Sequence, residues 1–164
     1  MAFEVRDQST TVERWLPIEN LTSWTHNASE NEETAETTSF DSKGWYEQDV
    51  MQRGGQIELE GQWAIDTQTG KQVEGQAYVD YFWGQRLGSD SRNEIRYRHE
   101  SQNMWVIWDA TVTPDESEGE TNDKTSWTAS FVQCGRPRYE PVFTLYNKRT
   151  EPAPAYLNYE EGAA

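Results

Sequence analysis

The segment from Gln56 to Ile65 constrains this chain most. Ile57, Leu59, Trp63 and Ile65 fall on one face of an extended strand, and Glu58, Glu60 and Gln62 fall on the other. A period of two with a wholly polar reverse face means one face packs and the other meets water. Gly61, inside the apolar series, marks a bulge or a bend. Such a strand must be covered by another layer, so the rest of the chain is read for what covers it.

Three later segments supply strands. Residues 93–100 alternate Ile95, Tyr97 and His99 against Glu94, Arg96 and Arg98. Residues 104–113 carry Trp105, Val106, Ile107, Trp108 and Val112, and apolar groups on both faces mark a central or interface strand. Residues 125–134 set Trp127, Ala129 and Phe131 against Ser126, Thr128 and Ser130. Upstream, residues 12–18 read as a strand interrupted by Pro17, and residues 20–27 follow with Leu21 and Trp24 as buried anchors. Met1 to Thr11 is polar and reads as an extended arm. Residues 28–43 are acidic and rich in Thr and Ser, which predicts a long loop or an extended hairpin. After the turn Asp66-Thr67-Gln68-Thr69-Gly70 the period changes, and residues 71–87 fit one amphipathic helix stopped by Gly88. Pro114 to Lys124 is an acidic turn. Val142, Phe143, Leu145 and Tyr146 suggest one more strand before an extended Pro-rich tail. The expected architecture is mainly β: a β-sandwich or flattened barrel of about seven strands with one helix. Its divisions are an arm at 1–11, a domain at 12–147 and a C-terminal arm at 148–164.

Charge narrows the function classes. The 164 residues hold 29 acidic and 14 basic side chains, a net charge of −15. That argues against tight nucleic-acid binding, which needs Lys and Arg to displace phosphate counterions, and against an anionic membrane surface. Eight Trp and eight Tyr put much of the apolar area into large rings, which fill cores and anchor interfaces. Cys134 is the only cysteine, so no intrachain disulfide forms. Met1-Ala2-Phe3-Glu4 has no basic-then-apolar signal region, and no run is long enough for a transmembrane helix. The two glycosylation-like triplets, at Asn20 and Asn27, are read as chance.

Few residues suggest catalysis. Glu58 and Glu60 lie two apart on one strand face, within the spacing of glycosidase carboxylates, yet such pairs are common on solvated strands. His26 and His99 are the only histidines, and no local spacing makes them metal ligands. Cys134 reads as a small buried apolar residue. Trp15, Trp24, Trp45 and Trp105 are the candidates for a sugar-stacking platform, and so a carbohydrate-binding module is the alternative from a different class. No phosphate loop, dinucleotide fingerprint or Gly-x-Ser-x-Gly elbow is present.

Several pieces share an order and spacing. They are Trp15-Leu16-Pro17-Ile18, the loop ending Phe40-Asp41-Ser42-Lys43-Gly44-Trp45, and Ile57-Glu58-Leu59-Glu60-Gly61. Asp66-Thr67-Gln68-Thr69-Gly70 then leads to Gly75-Gln76, and Asn122-Asp123-Lys124-Thr125-Ser126-Trp127 runs through Phe131 to Gly135 and Pro137. Over residues 12–137 the chain resembles the major tail tube proteins of long-tailed, siphovirus-like bacteriophages. The tail after Pro137 departs from that pattern.

The resemblance implies a structural subunit, not an enzyme, with no cofactor. Copies close into six-membered rings that stack into a tube for genome passage. Its partners are copies of itself and the tape-measure, tail-tip and tail-terminator proteins. DNA passes without specific binding, and no membrane is engaged. The implied location is the virion, after assembly in the host cytoplasm. A contractile tail or injection device has a similar inner tube and remains an alternative. The expected inter-ring loop holds Glu30, Glu32, Glu33, Glu36, Phe40 and Asp41. Glu58, Glu60, Gln62, Ser126, Thr128 and Ser130 suit a wet lumen wall or a solvated outer face. Trp45, Tyr46 and Trp105 are candidate subunit contacts.

Overall fold

The computed structural model describes residues 1–115 and 125–142. Among these, ten strands run in the order β1 (Ala2–Arg6), β2 (Trp15–Pro17), β3 (Leu21–Asn27), β4 (Glu33–Glu36), β5 (Gln48–Gln52), β6 (Gln56–Gln62), β7 (Asn93–Arg98), β8 (Met104–Pro114), β9 (Ser126–Gln133) and β10 (Arg138–Pro141). A single short α-helix, α1 (Glu74–Tyr78), continues as a π-helical turn over Val79–Trp83. The fold is mainly β, as the alternation predicts.

Eight strands form one antiparallel sheet in the order β2-β1-β7-β8-β9-β6-β3, with β10 also pairing β8. The eleven-residue β8 is the hub. One edge pairs β7 through Val106–Ala110, and the other pairs β10 through Met104–Ile107 and β9 through Ala110–Pro114. The sheet then curls on itself. Trp24 of the edge strand β3 meets Phe3 of β1 with ring centroids 6.1 Å apart, and His26 meets Tyr97 of β7 at 6.0 Å and Trp108 of β8 at 5.2 Å. Rings rather than backbone bonds close this flattened barrel. Its interior holds Val5, Ile57, Leu59, Ile95, Trp108, Trp127 and Phe131.

The α1–π segment plugs one end. Gly75 sits so close to the β2–β3 connection that a Cβ there would overlap the Pro17 carbonyl. Gln76 is fully buried and every amide group is used. Its Oε1 accepts from Ala64 N (3.2 Å), and its Nε2 donates to the carbonyls of Glu19 and Gln62 (both 3.0 Å). The π-turn, closed by Gly84 N to Val79 O at 2.8 Å, turns both Val79 and Trp83 into the core. Trp83 meets Phe131 at a tilt, with ring centroids 5.5 Å apart, and its indole donates to Ser91 O at 2.7 Å.

The structure corrects several expectations. The segment read as an arm contains β1, because Phe3 and Val5 point inward while Glu4 and Arg6 point out, an alternation too short to stand out alone. The helix is shorter than 71–87: Gln72 pairs with Ile65 in an extended bridge, Val73 is extended, and the segment ends at Gly84. Trp24, expected buried, is 45% exposed at the barrel's seam, and Ile65 is exposed beyond the end of β6. The 28–43 segment forms the first arm of a hairpin completed by β5. The strand expected around Phe143–Tyr146 and the arm at 148–164 lie outside the described residues, as does most of the acidic turn after Asp115; β10 was not foreseen.

Candidate functional surfaces

The residues expected on a wet wall do share one face. Cross-strand register places Glu58 opposite Ser130 and Thr25, Glu60 opposite Thr128 and Ser23, and Gln62 opposite Ser126. Thr113 of β8 continues the row beyond Ser130. Four strands thus build one continuous polar face from segments more than a hundred residues apart. It carries the carboxylates of Glu58 and Glu60, and no Lys or Arg occurs in β3, β6, β9 or in the stretch of β8 paired to β9. Ser23, Thr25 and Thr113 were not named from sequence. The alternation of Ser23 and Thr25 around Trp24 is the sequence signal for them.

The outer face of the other half is different. On β1, β7 and β10, which flank β8, the outward positions hold Arg6, Arg96, Arg98 and Arg138. Glu4 pairs with Arg96, and Glu94 accepts from Arg6 (2.7 Å) and from Arg138. The Arg96 guanidinium lies between Trp15 and Trp105, 4.2 and 4.4 Å from their ring centroids, and Arg98 lies 4.9 Å from Trp105. Flat, weakly hydrated guanidinium groups favour such stacking. Trp105 is therefore only 8% exposed, covered by arginines rather than free for a neighbour as expected. The same stack occupies a face of Trp15, one of the candidates for a sugar platform.

The β4–β5 hairpin stands apart. Its strands pair only with each other among the described residues, and its connection from 37 to 47 is ordered by local bonds. Thr37 N donates to Glu47 O (3.0 Å), Ser39 N to Ser42 Oγ (3.0 Å), Ser42 Oγ to Glu47 Oε2 (2.9 Å), and Trp45 N to Ser42 O (3.0 Å). This scaffold presents Phe40, fully exposed, with Trp45 at 78% and Tyr46 also exposed. Glu30, Glu33, Glu36 and Asp41 are all exposed along it, and Glu32 pairs with Arg53 at 3.7 Å.

The remaining candidates are separated. His26 sits among rings at the barrel seam, where partial burial lowers its pKa, and His99 bonds Ser101 in the β7–β8 turn (Nδ1 to Oγ 2.7 Å). Among the described residues no three His, Cys, Asp or Glu side chains gather as a metal site. Cys134 is half-buried rather than buried, its backbone N–H donating to Asp109 O at 2.7 Å where β9 hands over to β10. No helix among the described residues is long and apolar enough to cross a membrane.

No family model and no curated protein matches the sequence. Solved structures do match. A chain from the tail of an empty gene transfer agent (GTA) particle, refined with helical, C6 symmetry, superposes with a TM-score of 0.63 at 17% identity, covering 85% of this chain and 95% of that one. The two chains share a fold. A chain from the virion of the native gene transfer agent particle matches at 0.58 and 16% identity, covering 84% and 95%. The likeness spans almost the whole of both neighbours and most of this chain.

Proposed function

We propose that this chain is the structural subunit of a phage-type tail tube, of the non-contractile, siphovirus-like kind. Copies close into six-membered rings, and the rings stack into a hollow tube through which a genome leaves the capsid. The observation that carries this reading is the fold shared with a chain from a C6-symmetric tail over 95% of that chain. The polar β3-β6-β9-β8 face, with Glu58 and Glu60 and no cation, supports its use as the lumen wall. A wall that conducts DNA must not hold it, and each Lys or Arg contact to phosphate would add salt-dependent affinity. Carboxylates repel phosphates only over about 8 Å at physiological salt, which prevents adhesion without blocking passage.

In this reading Glu30, Glu32, Glu33, Glu36, Phe40 and Asp41 belong to the inter-ring hairpin, and Trp45 and Tyr46 make subunit contacts. Further partners are the tape-measure, tail-tip and terminator proteins, with assembly in the host cytoplasm and residence in the virion. The test is electron microscopy of the purified full chain after prolonged concentration, alone and with tail-tip proteins. Hollow tubes built of sixfold rings are expected. Monomers under every condition overturn the proposal.

A further inference from the structure

The barrel has two unlike ends. The hairpin leaves from one, between Asn27 of β3 and Gln56 of β6. The α1–π segment closes the other, where Gln62, Asn93 and Pro114 lie. The helix end carries exposed apolar side chains with nothing over them among the described residues: Leu87 (86% exposed), Tyr81 and Val12. Arg86 and Arg92 bracket Leu87 in sequence, and neither pairs with a carboxylate among the described residues. Arg86 is held instead by Gln8 Oε1 (2.6 Å) and by the Phe82 ring 4.4 Å away, so its position is fixed while its charge meets no carboxylate among the described residues. Gln8 leads directly into the loop bearing Val12.

The hairpin tip has the complementary chemistry. Between residues 28 and 55 there are seven carboxylates and two cations. Asp41, Glu36 and Asp49 have no cationic partner among the described residues. Phe40 and Trp45 project from a connection already ordered by its own bonds, so docking them costs little further ordering. Aromatic anchors beside carboxylates match an exposed leucine beside arginines that meet no carboxylate among the described residues, both by apolar burial and by ring–guanidinium contact. A contact between two different patches of identical chains is heterologous and propagates rather than closing a pair.

We propose that the helix end, centred on Leu87, Arg86 and Arg92, is the receptor for the hairpin tip of a second copy of this chain in the next ring. This rests on the stacked-ring reading and names the surface that reading leaves unassigned.

The test uses the full chain carrying Cys134→Ser together with Trp45→Cys and Leu87→Cys. Under mild oxidation, assembled tubes are expected to give a ladder of disulfide-linked chains, while either substitution alone gives no ladder. A parallel arm serves if the double substitution blocks assembly. Arg86→Glu with Arg92→Glu is expected to abolish pelletable tubes with an unchanged circular dichroism spectrum. Adding Glu36→Lys and Asp41→Lys is expected to restore them. Tubes that form without cross-linking, or a charge reversal that leaves assembly intact or is not rescued, overturn the receptor assignment alone. Failure of the unsubstituted chain to form tubes overturns the tube reading instead.

Discussion

Gln76 and Gly75 show how much of this fold depends on a pair of adjacent residues. Replacing Gln76 with Leu strands the Ala64 N–H and two carbonyls in the interior, and a buried group without its partner is costly. Gln76→Leu is expected to lower the unfolding free energy by about 3 kcal/mol. Gly75→Ala, which forces a methyl into the Pro17 carbonyl, is expected to cost about 2 kcal/mol. Urea unfolding followed by tryptophan fluorescence measures both. Gly75-Gln76 was visible as a pair in the sequence, but the burial of a glutamine was not, since three backbone groups from separate segments have to converge on it. Trp105 was misjudged for a similar reason. Apolar groups on both faces of its strand make it a candidate contact, but only the neighbouring strand brings Arg96 and Arg98 across it.

At the scale of elements, strands were legible wherever period two ran long enough. β6, β7 and β9 lie within the segments read for them and β8 runs one residue past its own, to Pro114; β6 and β9 show the cleanest alternation, each burying one face. β1 has only two inward residues, too few for a periodic signal, and the helix is shorter than its apolar stripe because Tyr81 and Leu87 face solvent. The hairpin was read as a loop or hairpin, and its separateness has a consequence for stability. Because β4 and β5 pair only with each other among the described residues, they contribute little to the barrel's cohesion. Replacing residues 29–53 with a short Gly-rich turn is expected to leave the melting temperature within a few degrees of the parent. The same variant is expected to lose tube formation in sedimentation and electron microscopy. A truncated chain that still builds tubes would show that the hairpin is not a ring-to-ring contact.

Across the whole molecule, charge is distributed rather than merely abundant. The arginines of one half are tied into Glu4, Glu94 and two tryptophans, while the opposite polar face has none. Composition could announce a net charge of −15, but not that Glu58 and Ser130 stand side by side, because register over seventy residues of intervening chain decides that. If this face lines a bore, Glu58→Lys with Glu60→Lys is expected to make assembled tubes retain double-stranded DNA at low salt and release it as salt rises. Tubes of the parent chain are expected to retain none, and filter binding across a salt series distinguishes the two. The helix plug and the hairpin, set at opposite poles of the barrel, carry one more implication. In the proposed tube, units joined pole to pole all point the same way, so the growing and the trailing tips of a column expose different chemistry. Addition at the two tips then proceeds at two different rates, and a cap fitted to one tip halts elongation there without touching the other.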